Sequence, residues 1–265
     1  SFAGGAGAAR DYVDDYTNAG GMDFSFNANH HVISGSDQYA ALREELSQYD
    51  GIVAMQEVYP IEYILNVPED KIAAGYEETW WEYYEIDTPF VTSDLYAPVG
   101  QNVKTIEIIP VSRENYDSLE FNGIAPTYDE LLENGGVILC QSEVLRKNGI
   151  MDILDFANFA VGDSLTLAQV GGGKISEPTT LTVSGVLSQT PWFAPERSHG
   201  FVIVPIETID SYFVLPVDHS NQYGGGMLSI DAEDEARDTL QKTFTERNLT
   251  PFGALAGFSF VSPYM

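Results

Sequence analysis

Basic residues and cysteine are scarce in this chain of 265 residues. It carries 12 Lys and Arg against 40 Asp and Glu, which gives a formal net charge of −28. A surface of that sign repels phosphate backbones and offers no basic patch to anionic lipids, which excludes nucleic-acid binding. The single cysteine, Cys140, rules out a disulfide within the chain, and its apolar neighbourhood predicts a buried packing residue.

Long apolar runs are lacking as well. No stretch of 18 apolar residues is present, and no basic segment precedes an apolar one, so the sequence predicts neither a membrane span nor a signal peptide. Apolar residues nevertheless make up 44% of the chain, which is enough for a sizeable core. The length suits one large domain or two small lobes. The acidic surface indicates a soluble chain, and it could also attract cations or basic partners.

The order of helical and strand patterns predicts an α+β fold. Apolar residues recur with helical spacing in some segments and alternate with polar residues in others. The segments are a helix capped by Ser36 or Asp37 and ending near Tyr49, a long strand over 52–65 bent at Pro60, a hairpin of 164–170 with 180–187, and a helix over 233–248 with Ala236, Leu240 and Phe244 inward.

The charge is concentrated over residues 44–87, which hold twelve acidic side chains and one basic side chain, Lys71. Aromatic rings are interleaved with the acids in its second half, 76–87, which we call the acidic-aromatic segment. A second aromatic pair lies between two prolines further along. Since Trp and Tyr are enriched at interfaces, the candidate partner-binding residues are Trp80, Trp81, Tyr83, Tyr84, Trp192 and Phe193. The alternative is that these rings fill the core between the lobes, and both interpretations stay open.

No catalytic or metal-binding pattern stands out. The four histidines lack helical ligand spacing, the Gly171–Gly173 run does not follow the Walker pattern, and no Gly-x-Ser-x-Gly elbow is present. The sequence therefore predicts no catalytic residue and no metal ligand. Carboxylates beside aromatic rings over 76–87 are also typical of a sugar-binding cleft. A secreted acidic carbohydrate-binding protein or glycoside hydrolase is the alternative function.

Three motifs follow one another in the second half of the chain. A buried strand, Val137–Cys140, precedes Ser142-Glu143; a Gly162-Asp163 turn precedes an alternating strand; and Leu181–Val186 reads hydrophobic-x-Val-x-Gly-Val. With the strand-helix-strand pattern at the C-terminus, this order resembles the extracytoplasmic domain of FtsX-like ABC transporter permeases, the MacB-like periplasmic core domain. The resemblance covers roughly residues 22–262. The block 67–122 is longer and more aromatic than the shared core, so the resemblance does not explain it.

The resemblance implies a discontinuous membrane-proximal α+β lobe, residues 1–66 and 198–265, and an inserted, mostly β distal lobe, residues 67–197. It implies transmembrane helices before Ser1 and after Met265, with the domain outside the membrane of a Gram-positive cell. The implied function is non-enzymatic: the domain couples the motion of a cytoplasmic ATPase to export, sensing or partner activation. No cofactor is expected here, because ATP would bind the separate ATPase subunit. The expected partners are that ATPase and an extracellular peptide or cell-wall protein.

Overall fold

The computed structural model describes residues 22–29, 38–59, 61–72, 103–140, 157–171, 174–194, 200–214, 225–248 and 259–261. Both helices and strands are present, which confirms the α+β class. The elements are β1 (Phe24–Asn29), α1 (Gln38–Leu46), β2 (Ile52–Val58), β3 (Ile61–Asn66), a 3₁₀ helix (Glu69–Lys71), β4 (Val103–Val111), α2 (Arg113–Tyr116), α3 (Tyr128–Asn134), β5 (Val137–Leu139), β6 (Ser164–Gly171), β7 (Lys174–Ile175), β8 (Thr179–Val186), β9 (Gly200–Pro205), a 3₁₀ helix (Ile206–Tyr212), β10 (Gly225–Ala232), a 3₁₀ turn (Asp234–Ala236), α4 (Arg237–Asn248) and β11 (Ser259–Val261).

The chain divides into two units. The described residues of Ser1–Tyr59, Thr190–Glu196 and Gln222–Met265 form the first unit, and those of Pro60–Gln189 and Arg197–Asn221 form the second. The first unit holds a four-stranded antiparallel sheet in the order β11-β1-β10-β2. Its strands therefore come from both ends of the chain.

The core of the first unit centres on Phe244 of α4. Its ring meets Phe24 and Phe26, on one face of β1, edge-on at centroid distances of 5.3 and 5.0 Å. A third ring, Tyr49 beyond α1, lies 5.7 Å away. Each such pair contributes about 0.5–1.5 kcal/mol beyond the burial of apolar area. Phe244 and Leu240 are both buried, as the helical spacing predicts, and these contacts hold α4 against the sheet. Ala236, also predicted inward, lies in the 3₁₀ turn before α4 and is half-buried.

The second unit is built on a closed ring of six strands. Hydrogen bonding runs β3-β4-β9-β5-β8-β6, and a further antiparallel pairing between β6 and β3 closes the ring. The short β7 is attached to β6. The pairing of β6 with β8 confirms the predicted hairpin. Strands β5 and β9 are buried throughout, whereas β6 and β8 also carry half-buried and exposed residues. Two of the strand pairs, β4 with β9 and β5 with β8, are parallel.

The long strand predicted over 52–65 is wrong, because the structure has two strands there. β2 pairs with β10 in the first unit, whereas β3 pairs with β4 and β6 in the second. The unit boundaries fall at 59/60, 189/190, 196/197 and 221/222 rather than at 66/67 and 197/198, so residues 197–221 belong to the second unit. Strand β9, expected in the lobe built from the chain ends, pairs with β4 and β5. Pairing partners, which periodicity does not specify, decide where each strand lies.

Two glycines with the same left-handed backbone provide a matched test of packing. Gly51 and Gly123 both have φ near +89°. A Cβ on Gly51 would lie 2.2 Å from the Cβ of Ala236, whereas no heavy atom lies within 4 Å of a Cβ on Gly123. Both changes to Ala carry the left-handed penalty of roughly 1–2 kcal/mol. We expect Gly51→Ala to lower the free energy of unfolding by about 1–3 kcal/mol more than Gly123→Ala, because it also overpacks.

Urea unfolding followed by circular dichroism measures both losses. The double variant Gly51→Ala with Ala236→Gly removes the clashing atom and is expected to recover most of the difference, with Ala236→Gly alone as its control. Equal losses for the two single glycine variants would contradict the close contact.

Candidate functional site

The predicted partner-binding residues fall in two places. Trp80, Trp81, Tyr83 and Tyr84 lie outside the described residues, as do the four histidines. Trp192 and Phe193 lie in the first unit, on the short segment 190–194. The structure therefore describes two of the six residues, and a partner-binding role for the set stays a prediction.

Trp192 and Phe193 are neighbours with different surroundings. Phe193 is fully buried, and its carbonyl accepts a hydrogen bond from the buried Ser229 hydroxyl at 2.7 Å. The Ala194 N–H bonds back to the Pro191 carbonyl at 3.0 Å, which makes the segment a tight turn. The two rings meet edge-on with centroids 5.6 Å apart, and Trp192 stays half-buried. Of these two rings, only the Trp192 indole has exposed surface that a partner could contact.

The single base of residues 44–87 forms an ion pair inside the second unit. The Lys71 ammonium donates to the Asp163 carboxylate at 2.7 Å, with 30% and 24% of the two side chains exposed. Backbone contacts join the same segments: the Asn158 N–H donates to the Lys71 carbonyl at 2.6 Å, and Ile72 bridges Ala157. We call this group the Lys71–Asp163 clasp. It fixes the chain at the last described residues before the acidic-aromatic segment.

Asp163 also organises the turn that opens β6. Its carboxylate accepts the Ala160 N–H at 2.8 Å, and its backbone carbonyl accepts the Val183 N–H of β8 at 2.9 Å. The hydrogen bond from Lys71, together with that from Ala160, holds the pKa of Asp163 below its usual value. The sequence flagged Lys71 as a lone base and Gly162-Asp163 as a turn. Their pairing was missed because 92 residues separate them.

The glycines of the family-like motifs have structural roles in the second unit. Gly162 has a left-handed backbone, φ 93°, at the turn before β6. Gly185 lies where the pairing of β5 with β8 shifts register, as expected of a bulge. A Cβ on Gly185 would come within 2.9 Å of both Phe121 and Pro126. These motif residues are therefore required by turn geometry and close packing.

The described residues supply little for redox or metal chemistry. Cys140 is fully buried, as predicted. Within the described ranges, no group of three or more His, Cys, Asp and Glu side chains is placed to hold a metal ion. No helix in that part of the chain is long and apolar enough to cross a membrane.

Comparison with known proteins gives a structural likeness and no match in sequence. No protein-family model matches the chain, and no curated protein matches it. Among solved structures, the chain is similar to the periplasmic region of MacB from Actinobacillus actinomycetemcomitans, with a TM-score of 0.40 and 13% sequence identity. The match covers 92% of this chain and 91% of that chain.

Removing the charge of Asp163 tests the clasp. The pKa of Asp163 in the folded protein lies below the ordinary value of 3.8. The ionised carboxylate therefore stabilises the folded state at pH values above 3.8, and this contribution is lost as the pH falls through the folded pKa. At pH 7 we expect Asp163→Asn to lower the free energy of unfolding by roughly 0.5–1 kcal/mol, as for a partly screened ion pair. Urea unfolding at several pH values should show the difference from wild type vanishing in acid.

Asp129→Asn is the matched control, because it breaks the Arg113–Asp129 pair of the same unit, whose side chains are 55% and 70% exposed. The control should lose less stability than Asp163→Asn. A pH-independent loss in Asp163→Asn would show that the carboxylate charge does not stabilise the fold.

Alanine variants separate packing from recognition at the second aromatic pair. We expect Phe193→Ala to lower the free energy of unfolding by about 3–5 kcal/mol, because it empties a fully enclosed site. Trp192→Ala should cost less than half as much, since part of its ring already faces solvent. Denaturant unfolding measures both, and equal losses would mean that Trp192 is as much a core residue as Phe193.

Proposed function

We propose that this chain is an extracytoplasmic domain of an FtsX-like ABC transporter permease. The observation that carries the proposal is the pairing of the first and last described strands. β1 and β11 are antiparallel neighbours, and β10 pairs with the other edge of β1. A domain held between two membrane segments needs both of its ends on one unit, and this sheet supplies that arrangement.

The sheet of the first unit is also suited to transmitting displacement. β1 pairs with β10 along six residues, and β10 continues the ladder to β2. A displacement of β1 therefore acts on many backbone hydrogen bonds at once and moves the sheet as a whole. The chain passes from this unit to the second unit and back twice, at residues 59/60, 189/190, 196/197 and 221/222. In the proposed function, motion of the ATPase reaches the second unit through these connections.

The proposed domain is non-enzymatic and holds no cofactor, since ATP would bind the partner ATPase inside the cell. The event outside is export, sensing, or activation of a peptide or cell-wall protein partner. The acidic-aromatic segment and Trp192 are each proposed, independently of one another, as a contact for such a partner. The motif order and the structural roles of Gly162, Asp163 and Gly185 support this reading. The carbohydrate-binding or hydrolase alternative depends on residues 76–87, which lie outside the described part of the chain.

Cysteine labelling tests the location. Val53 and Ile124 are 61% and 64% exposed, one in each unit, whereas the natural Cys140 is fully buried. In the full gene product, with any further cysteines replaced, we expect Val53→Cys and Ile124→Cys to react with a membrane-impermeant maleimide in intact cells. The protein should sediment with the membranes and co-purify with an ATPase.

Two controls accompany that experiment. The protein carrying only Cys140 should stay unlabelled while folded, and a cysteine on the ATPase should react only after lysis. Labelling of both new cysteines only after lysis would overturn the extracytoplasmic location. Recovery of the protein from the medium, free of membranes, would favour the secreted alternative.

A further inference from the structure

One end of the six-stranded ring carries a cleft of about 650 Å³. The strand directions bring the first residues of β3, β5 and β8 and the last residues of β4, β6 and β9 to this end. In barrels of about eight strands, side chains already fill the interior. This ring has only six strands and is narrower, and Leu65, Leu167 and Val183 are fully buried in it. Room for a ligand therefore lies at the mouth, a common place for small-molecule sites.

Hydrogen bonds fix the rim of the cleft without a ligand. The Tyr63 hydroxyl donates to the Tyr212 carbonyl at 2.7 Å, which holds the 3₁₀ helix 206–212 over the ring. The Gln169 side-chain carbonyl accepts the Val214 N–H at 2.9 Å, and the Gln169 N–H donates to the Ser176 hydroxyl at 2.8 Å. Because these walls are already ordered, binding would cost little conformational entropy.

The lining combines apolar surface with one carboxylate. Leu181, Tyr212 and Val214 supply the apolar part, and the Val214 side chain is 54% exposed. Glu177 is the only acidic or basic side chain among the lining residues, all of which are described. Within the described part of the chain, no basic side chain forms an ion pair with it. An anion would therefore meet an uncompensated negative charge at this mouth, whereas a cation would meet a partner.

We propose that this mouth binds a small organic cation, an ammonium group on an apolar body. The ammonium pairs with the Glu177 carboxylate, and the apolar body covers Leu181 and Val214. The net charge of −28 raises the local concentration of such cations around the chain. The site goes beyond the permease proposal and does not depend on it.

Three matched compounds test the ligand chemistry by amide NMR titration of the whole chain: 2-phenylethylammonium, 2-phenylethanol and 3-phenylpropionate. We expect the ammonium compound to shift the amide signals of Ser176 and Val214 and to bind about fivefold more tightly than the alcohol, the upper range for an exposed ion pair. The carboxylate should not bind. Higher salt should weaken the binding of the ammonium compound only.

Three variants locate the site. Glu177→Gln should reduce the affinity for the ammonium compound to that of the alcohol. Glu62→Gln is the matched control. Glu62 directly precedes Tyr63 on β3, but its side chain is exposed on the opposite face of the strand, so this change should leave binding unaltered. Ser211→Trp should fill the mouth and abolish binding of both compounds. The proposal is overturned if the alcohol binds as tightly as the amine, if Glu177→Gln binds like wild type, or if the shifted signals lie elsewhere.

Discussion

The antiparallel pairing of β3 with β6 is the constraint on which the second unit depends. It joins segments about a hundred residues apart, with Tyr63 opposite Gln169 and Asn66 opposite Thr166. That pairing closes the six-stranded ring. At one end of the pair, the last residues of β3 and the first of β6 approach one another, which brings Lys71 to Asp163. At the other end, Tyr63 and Gln169 hold the rim of the cleft. Both features follow from one register.

The first unit depends on a different long-range contact. Phe244, near the C-terminal end, packs on two rings of β1, near the N-terminal end, and the sheet then places β11 and β10 on either side of β1. Neither unit can close before distant parts of the chain meet. Closing long loops lowers the entropy of the chain before these long-range contacts form and stabilise it. Both units are therefore expected to fold slowly compared with helical bundles.

Local patterns predicted local structure well in this chain, and pairing partners poorly. The spacing of Leu240 and Phe244 identified the buried face of α4, and alternation identified the β6–β8 hairpin, because both signals are contained in short segments. The apolar run over 52–65 gave no sign that its halves pair in different units. Lys71 and Asp163 each stood out in the sequence, but nothing local joined them. Trp192 and Phe193 read as equivalent rings, although a tight turn buries only one of them completely.

The ion pairs show how the few basic side chains of this acidic chain are used. Within the described residues, Arg43, Lys71, Arg113, Arg237 and Arg247 are all held by carboxylates. These are five of only 12 basic residues, and none of these pairs includes the carboxylate at the cleft. Each of these pairs takes up one of the few bases, so the 28 acids in excess have no basic side chain of the chain to pair with. This charge balance is why the proposed ligand of the cleft, and the proposed partner of the acidic-aromatic segment, are both positively charged.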